Sequence, residues 1–228
     1  MTTDKKIVVF DGVDGAGKTT LIQGVANHLR SLGFKVDVFS AIGAGPIGKV
    51  ARERLLKDKI DMLGDALLSS ICHWELNYDM IPKSTADYIL LDRWVSSMYV
   101  YQYYIHHANH TSNGLGEDVV LKIFDTHLSH SHAPSIVFNL QVDENIARER
   151  LIARGESLNR LDKISFKLKQ EGFAEFMDIY QEEYGGNVVN LPCNGSKEHV
   201  CAMAISKIEE HFKQNFFEYK EDSYSLAG

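Results

Sequence analysis

Residues Gly12-Val13-Asp14-Gly15-Ala16-Gly17-Lys18-Thr19 match G-x-x-x-x-G-K-[ST] at every fixed position, and nothing else in the chain limits its fold so tightly. Glycines let the backbone turn its N–H groups inward without Cβ clashes. Those amides, with the N-terminus of a following helix, bind phosphate oxygens. In such a loop Lys18 reaches the β- and γ-phosphates of a nucleoside triphosphate, Thr19 offers its hydroxyl to Mg²⁺, and Thr20 continues the first helical turn. The motif carries this meaning only between a strand and a helix, and both are present. Ile7-Val8-Val9-Phe10 is a short apolar run that suits a strand buried on both faces. Leu21, Val25, Leu29 and Leu32 recur three or four apart, which predicts a helix from Lys18 that stops at Gly33.

The alternation continues. A second strand is predicted over 35–39, completing a strand–helix–strand unit. Pro46 can open a helix running to about 57. Helical pattern follows over 62–81, a strand over 87–92, a helix over 95–107, and a polar loop over 107–116. Further helices fall at 117–130, 147–153 and 165–184, with strands at 135–142 and 187–191. Ser196 can cap a last helix that places Val200, Ala204, Ile208 and Phe212 on one face. Five strands with intervening helices predict one three-layer α/β domain over 1–213, followed by a loosely attached acidic, aromatic tail, 214–228.

Composition narrows the function classes. The formal net charge is −7, which argues against a sequence-wide grip on nucleic acid, so no direct nucleic-acid binding is expected. No window approaches 18 uncharged apolar residues, so no membrane span is expected. Cys72, Cys193 and Cys201 are too few and too scattered for a disulfide framework or zinc site, and a cytoplasmic setting fits. His106, His107 and His110, then His127, His130 and His132, read as surface histidines rather than metal ligands. Among Trp94, Tyr99, Tyr101, Tyr103 and Tyr104, most read as core or dimer packing. Arg148 and Arg150 read as solvated helix charges.

A phosphate loop serves kinases, GTPase switches and ATP-driven machines alike. A GTPase switch shows D-x-x-G after a central strand and N-K-x-D after a later one. Here the third strand ends Leu91-Asp92-Arg93-Trp94 without that glycine, and Asn159-Arg160-Leu161-Asp162 lies in a basic loop after a helix.

Three pieces together resemble the thymidylate kinase family. Phe10 to Thr20 resembles its phosphate loop, with the acidic Asp14 inside. Asp92-Arg93-Trp94-Val95-Ser96-Ser97, followed by Tyr101-Gln102, is similar to its D-R-Y/H element with downstream Ser and Tyr-Gln. Ala153-Arg154-Gly155-Glu156 with Asn159-Arg160-Leu161-Asp162 resembles its lid, here about 154–163. The resemblance covers roughly 5–210. It implies a P-loop kinase fold with a five-stranded parallel sheet, ATP and Mg²⁺ as cofactors, and γ-phosphoryl transfer to a nucleoside monophosphate, usually dTMP. It implies that Asp14 sits between donor and acceptor phosphates, that Asp92 organises Mg²⁺ and the acceptor, and that Arg93 contacts the acceptor phosphate. Arg154 and Arg160 would close over the ATP phosphates, and Ser97 and Tyr101 would meet the acceptor. A homodimer is expected by the same analogy.

The departures concentrate on the acceptor. The family segment F-x-x-P-G or F-P-x-R supplies an arginine after the second strand, whereas this chain has Ser40-Ala41-Ile42-Gly43-Ala44-Gly45-Pro46. In L-L-F-A-x-x-R, Ser69 takes the place of the base-stacking Phe and His73 that of the Arg. Either another base is accepted, with Trp74, His73 or Tyr78 replacing the lost contacts, or dTMP is kept by compensation nearby. The Gly43-Ala44-Gly45 amides are a further candidate phosphate cradle. A P-loop kinase for a purine or modified deoxynucleotide, and a nucleotide-binding switch without turnover, stand as alternatives.

Overall fold

The computed structural model describes residues 5–58, 60–109, 114–155 and 164–225, the side chains of 114–115 and 214–225 excepted. Five parallel strands form one sheet in the order β2-β3-β1-β4-β5: β1 (Lys6–Gly12), β2 (Val36–Ser40), β3 (Tyr88–Asp92), β4 (Ile136–Gln141) and β5 (Val188–Pro192). β1 is central. Val8 pairs with Leu90 on one side and Ile136 on the other. Ile7 to Phe10 are buried on both faces, which is why the run is continuously apolar.

The helices are α1 (Lys18–Ser31), α2 (Pro46–Lys57), α3 (Met62–Glu75), α4 (Ile81–Lys83), α5 (Val95–Met98), α6 (Ile105–Ala108), α7 (Gly114–His130), α8 (Glu144–Ala153), α9 (Phe166–Tyr184) and α10 (Lys197–Ser225). The three-layer α/β arrangement read from the sequence is the one observed. α1 buries Leu21, Val25 and Leu29, but Leu32 is 55% exposed because the helix has already ended at Ser31 and Gly33 turns the chain at φ 89°. Val200, Ala204, Ile208 and Phe212 are buried on α10, and Ser196 Oγ accepts from His199 N at 3.3 Å. That helix runs on through Ser225, beyond the point where the sequence suggests a tail.

Two stretches expected as plain helices are not. A π-helical turn, Leu76–Met80, joins α3 to α4, and another, Tyr99–Tyr104, joins α5 to α6. A π-turn inserts an extra residue per turn and so re-aims side chains, often at functional sites. The second one carries Tyr101 and Gln102. Trp94 is core, edge-on to Phe176 and Tyr180, and Tyr99 lies against Phe124 and Phe176.

The chain leaves β1 toward β2 and leaves β4 toward β5, so connections diverge at neighbouring strands. In open α/β sheets, ligands bind in the crevice at the carboxyl ends of strands that diverge this way.

Candidate active site

The phosphate loop sits at that crevice, on the carboxyl end of β1. Gly12 and Gly15 adopt φ 136° and 83°, and a Cβ on Gly15 would stand 2.5 Å from Ala147 O. The glycine spacing is therefore fixed by contact with α8 as well as by the turn. Gly17, at φ 95°, is the N-cap of α1. Lys18 is buried, and its Nζ donates to Gly12 O at 2.9 Å and Val13 O at 2.8 Å. Burial, then the nearby Arg93, push its pKa down to about 8, against the pull of Asp14, Asp92 and Asp11. Thr19 is exposed at the start of α1.

Asp11, just before the loop, organises the opposite wall. Its fully buried carboxylate accepts from Gly12 N (2.9 Å), Trp94 N (3.1 Å), Ser97 Oγ (3.0 Å) and Ser96 Oγ. Burial raises its pKa even against Arg93 at 3.7 Å. These bonds fasten the segment after β3 to the phosphate loop. Within that segment Arg93 adopts φ 72°, a left-handed conformation that costs a non-glycine residue about 1 kcal/mol or more. Its guanidinium donates to Asp14 Oδ1, to Ser97 Oγ (3.0 Å) and to Gly12 O (3.3 Å), and stands over the Tyr101 ring at 5.5 Å.

Asp14 is a meeting point. Tyr101 Oη donates to its Oδ2 at 2.9 Å, and Lys169 Nζ of α9 stands 3.5 Å from the same oxygen. Burial alone would raise the Asp14 pKa, but Arg93, Lys18 and Lys169 together hold it well below the ordinary carboxylate range.

Two clefts open on either side of this centre. One is lined by Asp14, Ser40, Ile42, Arg52, Leu55, Leu56, Ser69, Asp92, Arg93, Ser97, Tyr101 and Gln102. Six of the residues expected at the acceptor are there: Ser69, Asp92, Arg93, Ser97, Tyr101 and Gln102. His73 is a correction. It is fully buried, its ring 5.7 Å from that of His127, and it does not line the cleft. One helical turn beyond Ser69, the position has already passed into the α3–α7 contact. Burial lowers the His73 pKa to about 3, so the ring stays neutral. His127 is likewise buried, not on the surface as read from the sequence, and its Nε2 pairs with Ser70 Oγ at 2.6 Å.

Arg52 is the residue that the sequence reading missed. It reaches into the acceptor-side cleft from α2, donating to Ile42 O at 2.9 Å. A search confined to 40–46 could not find it, although Arg52, Leu55 and Leu56 share helical spacing. The Gly43-Ala44-Gly45 stretch, read as a candidate phosphate cradle, lies beside an anion already in place. The Glu75 carboxylate already accepts from Ile47 N (3.0 Å) and Gly48 N (2.6 Å) at the start of α2, where a helix dipole favours an anion. A Cβ on Gly45 would run into that carboxylate.

The second cleft lies across the loop, lined by Gly15, Ala16, Gly17, Thr20, Leu21, Arg150, Ala153, Arg154, Cys193, Gly195, Lys197 and Val200. Arg154 is there as expected. Arg150 is not merely solvated: it donates to Cys193 O at 2.8 Å and to Ala16 O at 3.3 Å, bracing the loop from α8. Arg148 does lie outward, paired with Glu144. Arg160 falls outside the described residues. Among those described, no group of three or more His, Cys, Asp or Glu side chains could hold a metal ion, and no helix is long and apolar enough to cross a membrane.

A parallel sheet with this loop on its central strand, flanked by paired clefts, is the build of a P-loop nucleotide kinase. The family pattern described as Thymidylate kinase matches residues 10–204. The thymidylate kinase of Chlorobium luteolum is 25% identical over 223 residues, covering 91% of this chain and 99% of its own length. That of Geobacillus sp. strain WCH70 is 29% identical over 213 residues, covering 90% and 96%. A solved thymidylate kinase from Candida albicans shares the fold, with a TM-score of 0.69 at 19% identity and 92% of each chain covered. The chain belongs to the thymidylate kinase family, whose members are ATP-dependent nucleoside-monophosphate kinases.

Proposed function

We propose that this chain transfers the γ-phosphoryl group of ATP to a deoxynucleoside monophosphate, dTMP first, giving dTDP and ADP. The observation that carries this is that Asp14 and Arg93 line one cleft and Gly15 to Gly17 line the other, with Lys18 buried in the loop that both share. ATP phosphates would lie on the 12–19 amides with Lys18, and the adenosine in the cleft beside Arg150 and Arg154. The acceptor phosphate would meet Arg93 and Arg52, its sugar Tyr101 and Ser97, and its base Ser69 and Gln102.

Chemically, an oxygen of the acceptor phosphate attacks the γ-phosphorus as the bond to the bridging β–γ oxygen breaks, and ADP departs. Such transfer depends on in-line positioning and on cancelling charge over the equatorial oxygens. Lys18, Arg52, Arg93 and the lid segment 154–163, with Arg154 and Arg160, would supply that cancellation. Thr19, in the first turn of α1, and Asp92, at the end of β3, offer the hard oxygen donors that Mg²⁺ prefers. When bound, Mg²⁺ would neutralise charge on the β- and γ-phosphates.

Another acceptor is favoured by one observation. Tyr101 is the aromatic side chain lining the acceptor-side cleft, and its hydroxyl is engaged with Asp14, so a stacking platform at position 69 is gone. The test is ATP consumption with a panel of nucleoside monophosphates. Use of ATP only with dTMP supports the first reading. Turnover with a purine or modified deoxynucleotide instead supports the second. Slow hydrolysis indifferent to acceptor would sink both and point to a switch.

A second copy of this chain is the natural partner for α3. Leu67, Ile71 and Trp74, with Tyr78 just beyond, repeat at helical spacing and are each at least 42% exposed. These exposures support a homodimer, in the cytoplasmic setting expected above, and light scattering of Ile71→Glu should report a monomer.

A further inference from the structure

Lys169 belongs to none of the motifs that identify the family, yet it reaches the centre of the site. It lies in the first turn of α9, whose N-cap Ser165 side chain accepts from Leu168 N. It is 3% exposed, and a lysine that deeply buried is unusual unless it is paired. Its Nζ is 3.5 Å from Asp14 Oδ2, the oxygen that also accepts from Tyr101. Arg93 holds the other oxygen. Asp14 is thus fixed from three directions: the segment after β3, the π-turn after α5, and α9. The chain enters α9 directly from the lid segment.

Resting on the kinase reading above, we propose that Lys169 is a positioning residue for phosphoryl transfer, holding Asp14 in register with the phosphate loop from α9. Geometry gives the reason. Asp14 lines the first cleft from the phosphate loop, beside Arg93, where a small rotation of its carboxylate would move charge relative to the reacting phosphates, and loss of alignment is costly in transfer reactions.

Four proteins test this: the unaltered chain, Lys169→Met, Asp14→Asn and the double variant, with Lys169→Arg as rescue. Methionine keeps the buried apolar stem and removes the charge. Lys169→Met should lower kcat about 10-fold, within the coupling range for residues in contact, while the KM values for ATP and acceptor stay within about 3-fold. Lys169→Arg should restore most of it. Added to Asp14→Asn, Lys169→Met should cost little more. Unchanged kcat in Lys169→Met, equal loss in Lys169→Met and Lys169→Arg, or equal loss with and without Asp14→Asn would each overturn the proposal. Calorimetric affinity for ATP with Mg²⁺ on the same proteins gives a second cycle, and its additivity would also count against Lys169. If the unaltered chain uses no acceptor, the kinase reading fails, and the calorimetric cycle alone judges the pair.

Discussion

The cleft that faces α8 and the cleft that faces α2 share one loop but are built by different means. On the α8 side, backbone does most of the work: glycine amides, the α1 N-terminus, and three carbonyls that accept from Arg150. On the α2 side the walls are side chains drawn from the phosphate loop, β2, α2, α3, β3, α5 and the π-turn after it. A backbone site tolerates little change in sequence, because its glycines fix it. A side-chain site can be rebuilt piecemeal. In the cleft facing α2, Arg52 enters from α2, Ser69 stands where the family resemblance puts an aromatic ring, and His73 lies in the core.

That contrast predicts unequal responses to mutation. The largest effect belongs to Lys18→Ala, which should lower kcat/KM on the order of 10³-fold, comparable to losing one key transition-state cation. Unimpaired turnover would remove the donor assignment altogether. The unaltered protein gives a matching pH signature. The Lys18 pKa is depressed to about 8, so its charged form is lost as pH rises through that value in the free enzyme. The kcat/KM for ATP should fall above about pH 8, whereas kcat, measured with phosphates bound beside the ammonium, should hold to higher pH.

Next comes Arg52→Ala. A charge-assisted hydrogen bond is worth about 1.5–3 kcal/mol, so the acceptor KM should rise roughly 10- to 100-fold with the ATP KM unchanged. A rise in both would mean that the clefts are not separable in the way described.

The smallest effect concerns His73. Its folded pKa, about 3, lies below the ordinary value near 6.5, so the unfolded chain takes up the proton first. The stability due to the neutral ring is complete above about pH 6.5 and is lost as pH falls toward 3. Near pH 5 the difference is about 2 kcal/mol. His73→Leu should therefore narrow the gap in Tm between pH 7 and pH 5. An unchanged gap would mean that the ring is hydrated or accessible, and would reopen its place at the acceptor.

Much of the fold was legible because its signals are local. Apolar runs of four residues gave buried strands, and the stripe Leu21, Val25, Leu29 gave α1. The π-turns were not legible, since Leu76–Met80 and Tyr99–Tyr104 carry ordinary helical composition. Within the site, Asp14, Arg93, Ser97 and Tyr101, which the motifs singled out, come together in one cluster. Arg52, Asp11, Lys169 and Glu75 did not announce themselves, because each acts on a partner far away in sequence. Glu75 and the α2 amides are 27 and 28 residues apart, and Lys169 and Asp14 are 155.

By itself the sequence determined the phosphate-loop geometry from Gly12 to Thr19, because glycine spacing and a strand–helix context dictate backbone direction without reference to the rest of the chain. Only the tertiary structure decided how the cleft facing α2 is furnished. Which face of α2 and α3 meets the cleft depends on a buried carboxylate and on helix packing. No short motif encodes the close approach of side chains from separate elements.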